Sequence, residues 1–410
     1  MPNLKSLVKQ AVAAGPPSSA QAATGLSPRW ELARRVVWGL WWLMLIGLPL
    51  AFMSRYFLDL EVYRNGGLAW WQGIPLYIDF PGPLPGPRLP FTYPPVAAVL
   101  FSVFAALPGW LMNALVLVTS FLAMTAVCVL VAGKLFQRKE IAWTVGAGAA
   151  VLSIGMEPVI STLAFGQINI MLMALVVIDC FAVRDPRWRG VLVGLAAAIK
   201  LTPAVFVLYF LVRKDWRAAA NSVGAFVVLA LIGFLAAPTD STEYWFHALT
   251  DPTRIGGLAY APNQSLRGLL HRLNPGPDAM SLLWLGLAAL VMLLAIIVAL
   301  RTRDEVVALL AIAAGALLAS PVSWSHHWVW CVPAFLVAAA RARVWQHWAL
   351  LLSVLALYCA QLFALVPSSE DRELRWTLWQ HIPGNAYIWI TLVALLVLAI
   401  RPVRSRLSSR

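Results

Sequence analysis

Apolar residues run along this chain in long, nearly unbroken blocks that neither alternate at period two nor keep to one face of a helix. Blocks of about 14 to 23 residues separated by short charged clusters predict membrane-crossing α-helices, not strands or amphipathic surface helices. They place helices near 34–53, 111–133, 141–156, 167–183, 219–237, 281–300, 306–320, 326–340, 346–366 and 385–400. Two segments depart from the simple pattern. "YPPVAAVLFSVFAALPGW" (93–110) holds only about a dozen apolar residues between prolines, which predicts an interfacial or re-entrant helix. "RGVLVGLAAAIKLTPAVFVLYFLVRK" (189–214) carries basic residues at both ends and Lys200 in the middle, so it has to enter and return as a hairpin. Each arm of about ten residues spans roughly 15 Å, half of a hydrocarbon core of about 30 Å. Lys200 at the tip would therefore sit at depth, facing a cavity or an anionic partner, or else snorkel to the outer interface. With the two arms counted, the expectation is an all-α polytopic membrane bundle of about 12 helices with outer-face loops and interfacial helices.

Composition agrees: 61% of residues are hydrophobic and 12% charged, against about 25% charged in a soluble domain. The net charge of +13 is topological, with no nucleic-acid meaning. Basic clusters recur at Arg34 and Arg35, Lys134 to Lys139, Arg184 to Arg189, Arg213 to Arg217, Arg301 and Arg303, Arg341 and Arg343, and Arg401 to Arg410. The positive-inside rule assigns all of them to the cytoplasm. The segments left outside hold most carboxylates, among them Asp59, Glu61, Asp79, Glu157, Asp240, Glu243, Asp251, Asp278, Glu370, Asp371 and Glu373. The domain reading is a disordered cytoplasmic tail at 1–27, rich in Ala, Gly, Ser and Pro, one transmembrane domain at 28–402, and a basic cytoplasmic tail at 403–410. All four cysteines fall within or at the ends of apolar helices, so no disulfide framework is expected. No His or Cys spacing proposes a metal.

The outer face carries the candidate chemistry. The first loop begins "YFLDLEVYRNGG", crowding Asp59, Glu61 and Arg64 where a helix leaves the membrane, and continues as a short interfacial helix with Trp70, Trp71 and Tyr77 before a Pro-Gly run. "MEPVISTLAFGQIN", "YAPNQSLRGLLHRLNP" and "SPVSWSHHWVW" add Gln167, Asn169, Asn263, Gln264, Arg267, Trp324, His326 and His327 to the same side. Structural alternatives exist for each. Asp59 would serve as a cap or as a partner of Arg64; Asn263 and Gln264 would cap "SLRGLL"; Gln167 and Asn169 would bond helix to helix. Adjacent helical residues point about 100° apart, so one of His326 and His327 is expected to face a substrate.

"DLEVYRNGGLAWWQGIPLY", "LPFTYPP", "GQINIMLMALVVID", "AIKLTP", "NQSL" and "SPVSWSHHWVW", in this order, resemble glycosyltransferase family 87, the polyprenyl-phosphate-mannose-dependent mannosyltransferases. The resemblance implies a GT-C fold, a polyprenyl-phosphate-mannose donor, no nucleotide sugar, no cofactor, and an active site on the extracytoplasmic side. The implied reaction is an inverting α-1,2 mannosyl transfer to a phosphatidylinositol mannoside or a related glycolipid. A mannan-branching α-1,2-mannosyltransferase of lipomannan or lipoarabinomannan is the alternative within the family, and a lipid-linked sugar transporter or flippase the alternative outside it. By resemblance Asp59 is the essential acid of the first outer loop, with His326 and His327 as catalytic candidates. Lys200 and Arg267 are the cations for the donor phosphate. Glu61, Tyr63, Arg64, Gln167, Asn169, Asn263, Gln264 and Trp324 are candidates for binding sugar. The family often shows Asp-x-Asp where this chain reads Asp59-Leu60-Glu61, so Glu61 inherits its role less directly.

Overall fold

A computed structural model describes residues 27–77, 82–251, 254 and 256–400. The expected tails at 1–27 and 403–410, Ser27 apart, and the carboxylate Asp79 lie outside the described residues. The described chain is helical, and its one β-type pairing is an isolated bridge between Asn263 and Trp324.

Its α-helices, in order, are α1 Pro28–Phe52, α2 Leu58–Gln72, α3 Pro95–Ala105, α4 Gly109–Leu135, α5 Lys139–Ser153, α6 Glu157–Phe165, α7 Asn169–Phe181, α8 Val191–Ile199, α9 Val207–Val212, α10 Trp216–Ala236, α11 Pro238–Phe246, α12 Leu266–Leu273, α13 Pro277–Arg301, α14 Glu305–Ala319, α15 Cys331–Arg341, α16 Trp345–Cys359, α17 His381–Gly384 and α18 Ala386–Ile400. Four of them, α1, α4, α10 and most of α13, are long and apolar enough to cross a membrane. A fifth span results if α5 and α6, bent 72° at their junction, are taken together. The remaining apolar helices are shorter, including α7, α14, α16 and α18.

Half of the apolar window of α4 is buried, against 11% for α1 and 22% for α10 and α13. α4 is thus a central helix, and the others turn apolar surface outward. Leu152, Leu235 and Leu282 are each at least 74% exposed. At roughly 25 cal/mol per Å² such surface is costly in water and costs nothing against lipid tails. The protein is a multi-pass membrane helical protein.

Several boundaries differ from the sequence pattern. The apolar block at 326–340 becomes a helix only from Cys331, because Ser325–Trp330 forms a 3₁₀ turn. The block at 346–366 stops at Cys359, where Gln361 adopts a left-handed conformation before a 3₁₀ turn at Leu362–Leu365. α6 is an additional helix within a stretch expected to be an outer loop, started by Pro158 at its N-terminal turn. Segment 93–110 does contain a short helix, α3, and 189–214 does fold back as α8, a 3₁₀ turn at Thr202–Phe206, and α9.

The hairpin is anchored at its open end. The Asp179 carboxylate accepts from the backbone N–H of Gly190 (2.6 Å) and Val193 (2.8 Å), satisfying donors at the start of α8. Arg189 pairs with Asp215 at 2.9 Å, and Asp215 caps α10. The same end gathers residues from further basic clusters, among them Lys134, Arg213 and Arg341. Arg213 donates to the Asp304 carbonyl (3.1 Å), Arg341 pairs with the Asp304 carboxylate, and Lys134 pairs with Glu305 at 2.6 Å. Clusters far apart in sequence therefore share one charged end, and Lys200 projects from the opposite end of the hairpin.

Candidate active site

Asp59 lies in the first turn of α2, directly after the apolar α1. Its half-buried carboxylate receives a hydrogen bond from the Gln167 side chain and feels the charge of Lys200. Burial raises the Asp59 carboxyl above its ordinary range, and the Gln167 bond and Lys200 partly oppose that rise. Gln167 arrives there because α6 ends at Gly166, whose φ of +69° turns the chain sharply. A Cβ at Gly166 would meet the Leu60 Cβ at 2.7 Å, so a side chain would push this corner off α2. Gln167 Oε1 accepts from the Tyr63 hydroxyl at 2.7 Å, which leaves the amide N–H to donate to Asp59. The Tyr63 and Tyr93 hydroxyls are 3.0 Å apart, joining α2 to the loop before α3. Gly67 makes that packing close, since a Cβ there would stand 2.5 Å from the Ser102 Cα.

Lys200 closes α8 in an extended conformation and reaches the same place. Its ammonium donates to Asn169 Oδ1 at 3.1 Å, bonds His327 Nε2 at 3.2 Å, and stands 5.6 Å from the centre of the Tyr93 ring. An ammonium offers only donors, so His327 Nε2 accepts and the neutral ring carries its proton on Nδ1. Burial and the Lys200 charge hold the His327 imidazole well below its ordinary pKa, and burial with Lys200 takes His326 down to about 3. Both rings are neutral near pH 7, at the 3₁₀ turn that precedes α15.

That turn is held from beneath. The His326 carbonyl accepts from Thr162 Oγ1 (2.9 Å) and Asn169 Nδ2 (3.2 Å), so Asn169 ties Lys200 to the histidine backbone. The two imidazoles meet edge to face at 4.8 Å. His326 Nε2 is buried with no hydrogen-bond partner among the described residues, while His327 Nε2 is engaged by the lysine.

Other expected site residues separate into support and rim. Tyr63 is fully buried and acts through its hydroxyl on Gln167. Asn263 and Gln264 are fully buried: Ser323 N–H donates to Asn263 Oδ1 (3.0 Å), and Gln264 N–H to the Ser323 carbonyl (2.8 Å). They register the loop before α12 against the histidine turn, whereas Ser265 is the residue that caps α12. Trp324 is half-buried beside Tyr260, with ring centres 6.1 Å apart. Glu61 pairs with Arg64 at 3.7 Å. Two residues along a helix from Asp59, Glu61 points roughly 200° away. Arg267 projects from α12 onto the Trp284 ring, 4.7 Å from its centre, away from the partners of Lys200, which are Asn169 and His327.

Two buried groups were invisible as site components in the sequence. Glu157 accepts from the hydroxyls of Ser161 (2.8 Å), Ser325 (2.7 Å) and Tyr387 (2.8 Å), clamping α6 and α18 to the histidine turn. Arg272 donates to Asn385 Oδ1 and to the carbonyls of Ala259, Tyr260 and Asn263, holding the loop that carries Asn263 and Gln264. The Glu157 to Ser161 spacing was readable, but Ser325 and Tyr387 are 168 and 230 residues away along the chain. Among the described residues no group of three His, Cys, Asp or Glu side chains is placed to hold a metal ion.

Asp59, Lys200, Asn169, Gln167 and the histidine pair thus bring a carboxylate of raised proton affinity, an ammonium and neutral imidazoles into one place. That set can take a proton from a hydroxyl and receive an anionic leaving group. The model of glycosyltransferase family 87 matches residues 91–323. A Mycobacterium tuberculosis protein named polyprenol-phosphate-mannose-dependent alpha-(1-2)-phosphatidylinositol mannoside mannosyltransferase is 39% identical over 90% of this chain and 91% of its own length. A protein of the same name from Mycolicibacterium smegmatis is 38% identical over 84% of each chain. A second protein from that organism, named for a phosphatidylinositol pentamannoside acceptor, is 35% identical over 68% of each. No solved structure matches the chain significantly.

Proposed function

The chain belongs to glycosyltransferase family 87, and on that premise we propose that it transfers mannose from polyprenol-phosphate-mannose to a phosphatidylinositol mannoside, forming an α-1,2 linkage. The observation that carries this reading is that Lys200 bonds Asn169 and His327 while its charge acts on Asp59, 141 positions earlier in the sequence, whose carboxylate Gln167 holds. We place this site at the extracytoplasmic face, because the basic clusters gather at the other end of the hairpin and the positive-inside rule assigns that end to the cytoplasm. Both termini are then cytoplasmic. The architecture we propose is of GT-C type, with about 12 membrane helices once the shorter apolar helices are counted with the long ones.

In the proposed reaction the acceptor hydroxyl oxygen attacks the anomeric carbon of the donor, and the bond from that carbon to the phosphate oxygen breaks in the same displacement. One displacement inverts the centre, taking a β-linked donor to an α-linked product. Asp59 accepts the hydroxyl proton. Its raised proton affinity suits it to that role, and such bases contribute typically about 10² to 10⁴ in rate. The leaving polyprenyl phosphate departs already charged, so it requires a cation and not an acid, and Lys200 supplies one. His327 orients the Lys200 ammonium. His326 keeps a ring nitrogen available to a sugar hydroxyl. Tyr63, Gln167, Asn169, Asn263 and Gln264 hold these groups, while Glu61, Arg64 and Trp324 line the rim. Arg267 is kept as a second, peripheral cation for donor lipid.

The test is transfer by the purified protein from labelled polyprenol-phosphate-mannose to a panel of mannoside lipids, with linkage analysis of the product. An α-1,2-linked mannosyl product supports the reading. Movement of labelled donor across a vesicle membrane without transfer would instead establish a flippase.

A further inference from the structure

The segment 360–385, which joins α16 to α18, carries bulky apolar side chains outside any helix of membrane length. Leu365, Leu378, Trp379 and Ile382 are 70%, 87%, 62% and 68% exposed, and Leu374 is exposed among them. Its polar anchors are buried. The Glu373 carboxylate accepts from the backbone N–H of Ala261 (3.1 Å) and of Ser369 (2.8 Å). Arg272 reaches Asn385 Oδ1 at 3.0 Å, and its guanidinium lies 5.6 Å from the centre of the Trp376 ring. Trp376 Nε1 in turn donates to the Pro367 carbonyl at 2.7 Å. A Cβ at Gly384 would stand 2.2 Å from that ring, so this corner is packed as closely as a core. The segment is a fixed platform that turns apolar side chains outward.

Helix lengths indicate what covers that side. α16 and α18 have 15 residues each. That is about 22 Å of helix against a hydrocarbon core of roughly 30 Å. At their far end charges fix the level. Arg343 stands just before α16, and the Arg301 guanidinium donates to the Ala399 carbonyl in the last turn of α18 at 2.6 Å. The remaining distance, about 8 Å, therefore falls to the platform, which places it within the leaflet. The outward stripe of α18 leads to the same conclusion. Its exposed apolar residues are Trp389, Val393, Leu396, Val397 and Ile400, at helical spacing. The Trp389 indole donates to the His381 carbonyl at 2.9 Å, which joins this stripe to the platform beside Ile382. Exposed Arg372 and Arg375 next to the Trp379 indole suit the headgroup layer.

We propose that residues 362–382 form a platform inserted into the leaflet on the site's side, where Leu365, Leu374, Leu378, Trp379 and Ile382 contact lipid and set the depth of the reaction centre. The buried anchors make the connection. Glu373 and Arg272 hold the loop of Asn263 and Gln264, and Gln264 Nε2 donates to the Gly384 carbonyl at 2.8 Å. The Gln264 N–H bonds the Ser323 carbonyl just ahead of the histidine turn. Lipid contact on the platform is thus a few bonds from His326 and His327. The consequence for the acceptor rests on the mannosyl-transfer reading: a glycolipid held by its tails presents its sugar at one height, and the site has to meet it there.

The test uses the full chain in phosphatidylcholine nanodiscs. Cys359 is exposed and the other three cysteines are buried, so Cys359→Ser with Leu378→Cys offers one reactive position for a bimane fluorophore. Lipids carrying a nitroxide near the top of the acyl chain should quench it several-fold more than aqueous iodide does. Iodide as the stronger quencher would overturn the proposal by placing the platform in water. Protection from both quenchers would overturn it by placing protein, such as a second copy of the chain, over the apolar side. A second arm reads the reaction. Leu378→Glu and Trp379→Glu should each lower transfer to a membrane-bound mannoside lipid about tenfold, with melting unchanged and transfer to a water-soluble mannoside within twofold. Equal loss on both acceptors would overturn the depth role. Strong quenching by nitroxide lipids in a protein that transfers to no mannoside would sustain the platform and reject the transfer reading.

Discussion

Replacing Lys200 with methionine removes the ammonium while keeping most of the unbranched stem, so the perturbation is close to a pure loss of charge and donors. The ammonium already has Asn169 Oδ1 at 3.1 Å and His327 Nε2 at 3.2 Å, leaving one N–H for a donor phosphate oxygen. A charge-assisted hydrogen bond contributes about 1.5–3 kcal/mol, which corresponds to a loss of roughly 10- to 150-fold in donor affinity. Removing it also leaves Asn169 Oδ1 without its donor, at a cost of about 1–3 kcal/mol, while relief of a desolvated charge offsets part of that. Global stability should therefore change little and donor affinity a great deal. Lys200→Arg should fall between the two, since the charge is kept but a planar fork cannot reproduce the tetrahedral contacts. The assay is binding of polyprenol-phosphate-mannose to nanodisc-embedded variants, with acceptor binding and melting measured on the same preparations. A stably folded Lys200→Met protein with native donor affinity would refute the phosphate role and make Lys200 a group that only orders Asn169 and His327.

Asp59→Asn should abolish transfer with donor binding retained, and near-native turnover would remove Asp59 as the base. Because burial raises the Asp59 carboxyl, the native pH–rate profile should rise through an acidic limb above the ordinary carboxylate range. The same sign applies to stability: a raised folded-state pKa favours folding below the unfolded value and is lost as pH rises through the folded value. At pH 7 the Asn variant should therefore melt no lower than the native protein, and a clear drop in Tm would contradict the assignment of burial as the dominant cause. Glu157→Gln places an N–H where the Tyr387 or a serine hydroxyl donates and should cost about 1–3 kcal/mol in stability; kcat should fall with it as the histidine turn loosens, and unchanged melting and turnover would show that the clamp is dispensable. Activity should survive excess chelator, and its loss on chelation with recovery on adding magnesium or manganese would reveal a metal in the reaction.

The sequence alone determined the environment of this protein. Long apolar blocks and basic punctuation require a lipid solvent, because backbone polar groups must be satisfied within each helix and charges are excluded from the core. The same logic located the hairpin and its lysine, since basic clusters at 184–189 and 213–217 force the chain to return and leave Lys200 at the turn. Motif order pointed to Asp59, the histidine pair, Gln167 and Asn169 as one set. What only tertiary structure decided is which of these atoms meet. A hydrogen bond depends on positions set to a few tenths of an ångström by packing between helices, and one-dimensional pattern carries no such distances. Hence His327 takes Lys200 while His326 Nε2 has no partner among the described residues, Asn263 and Gln264 serve the backbone, and Arg267 turns to Trp284. Glu157 and Arg272 were hidden for the same reason, as their partners lie across the fold. The start of the helix expected at 326–340 is not legible in the sequence because apolarity is shared by α-helix and 3₁₀ turn, and the tertiary ties on the His326 carbonyl and Ser325 select the tighter turn there.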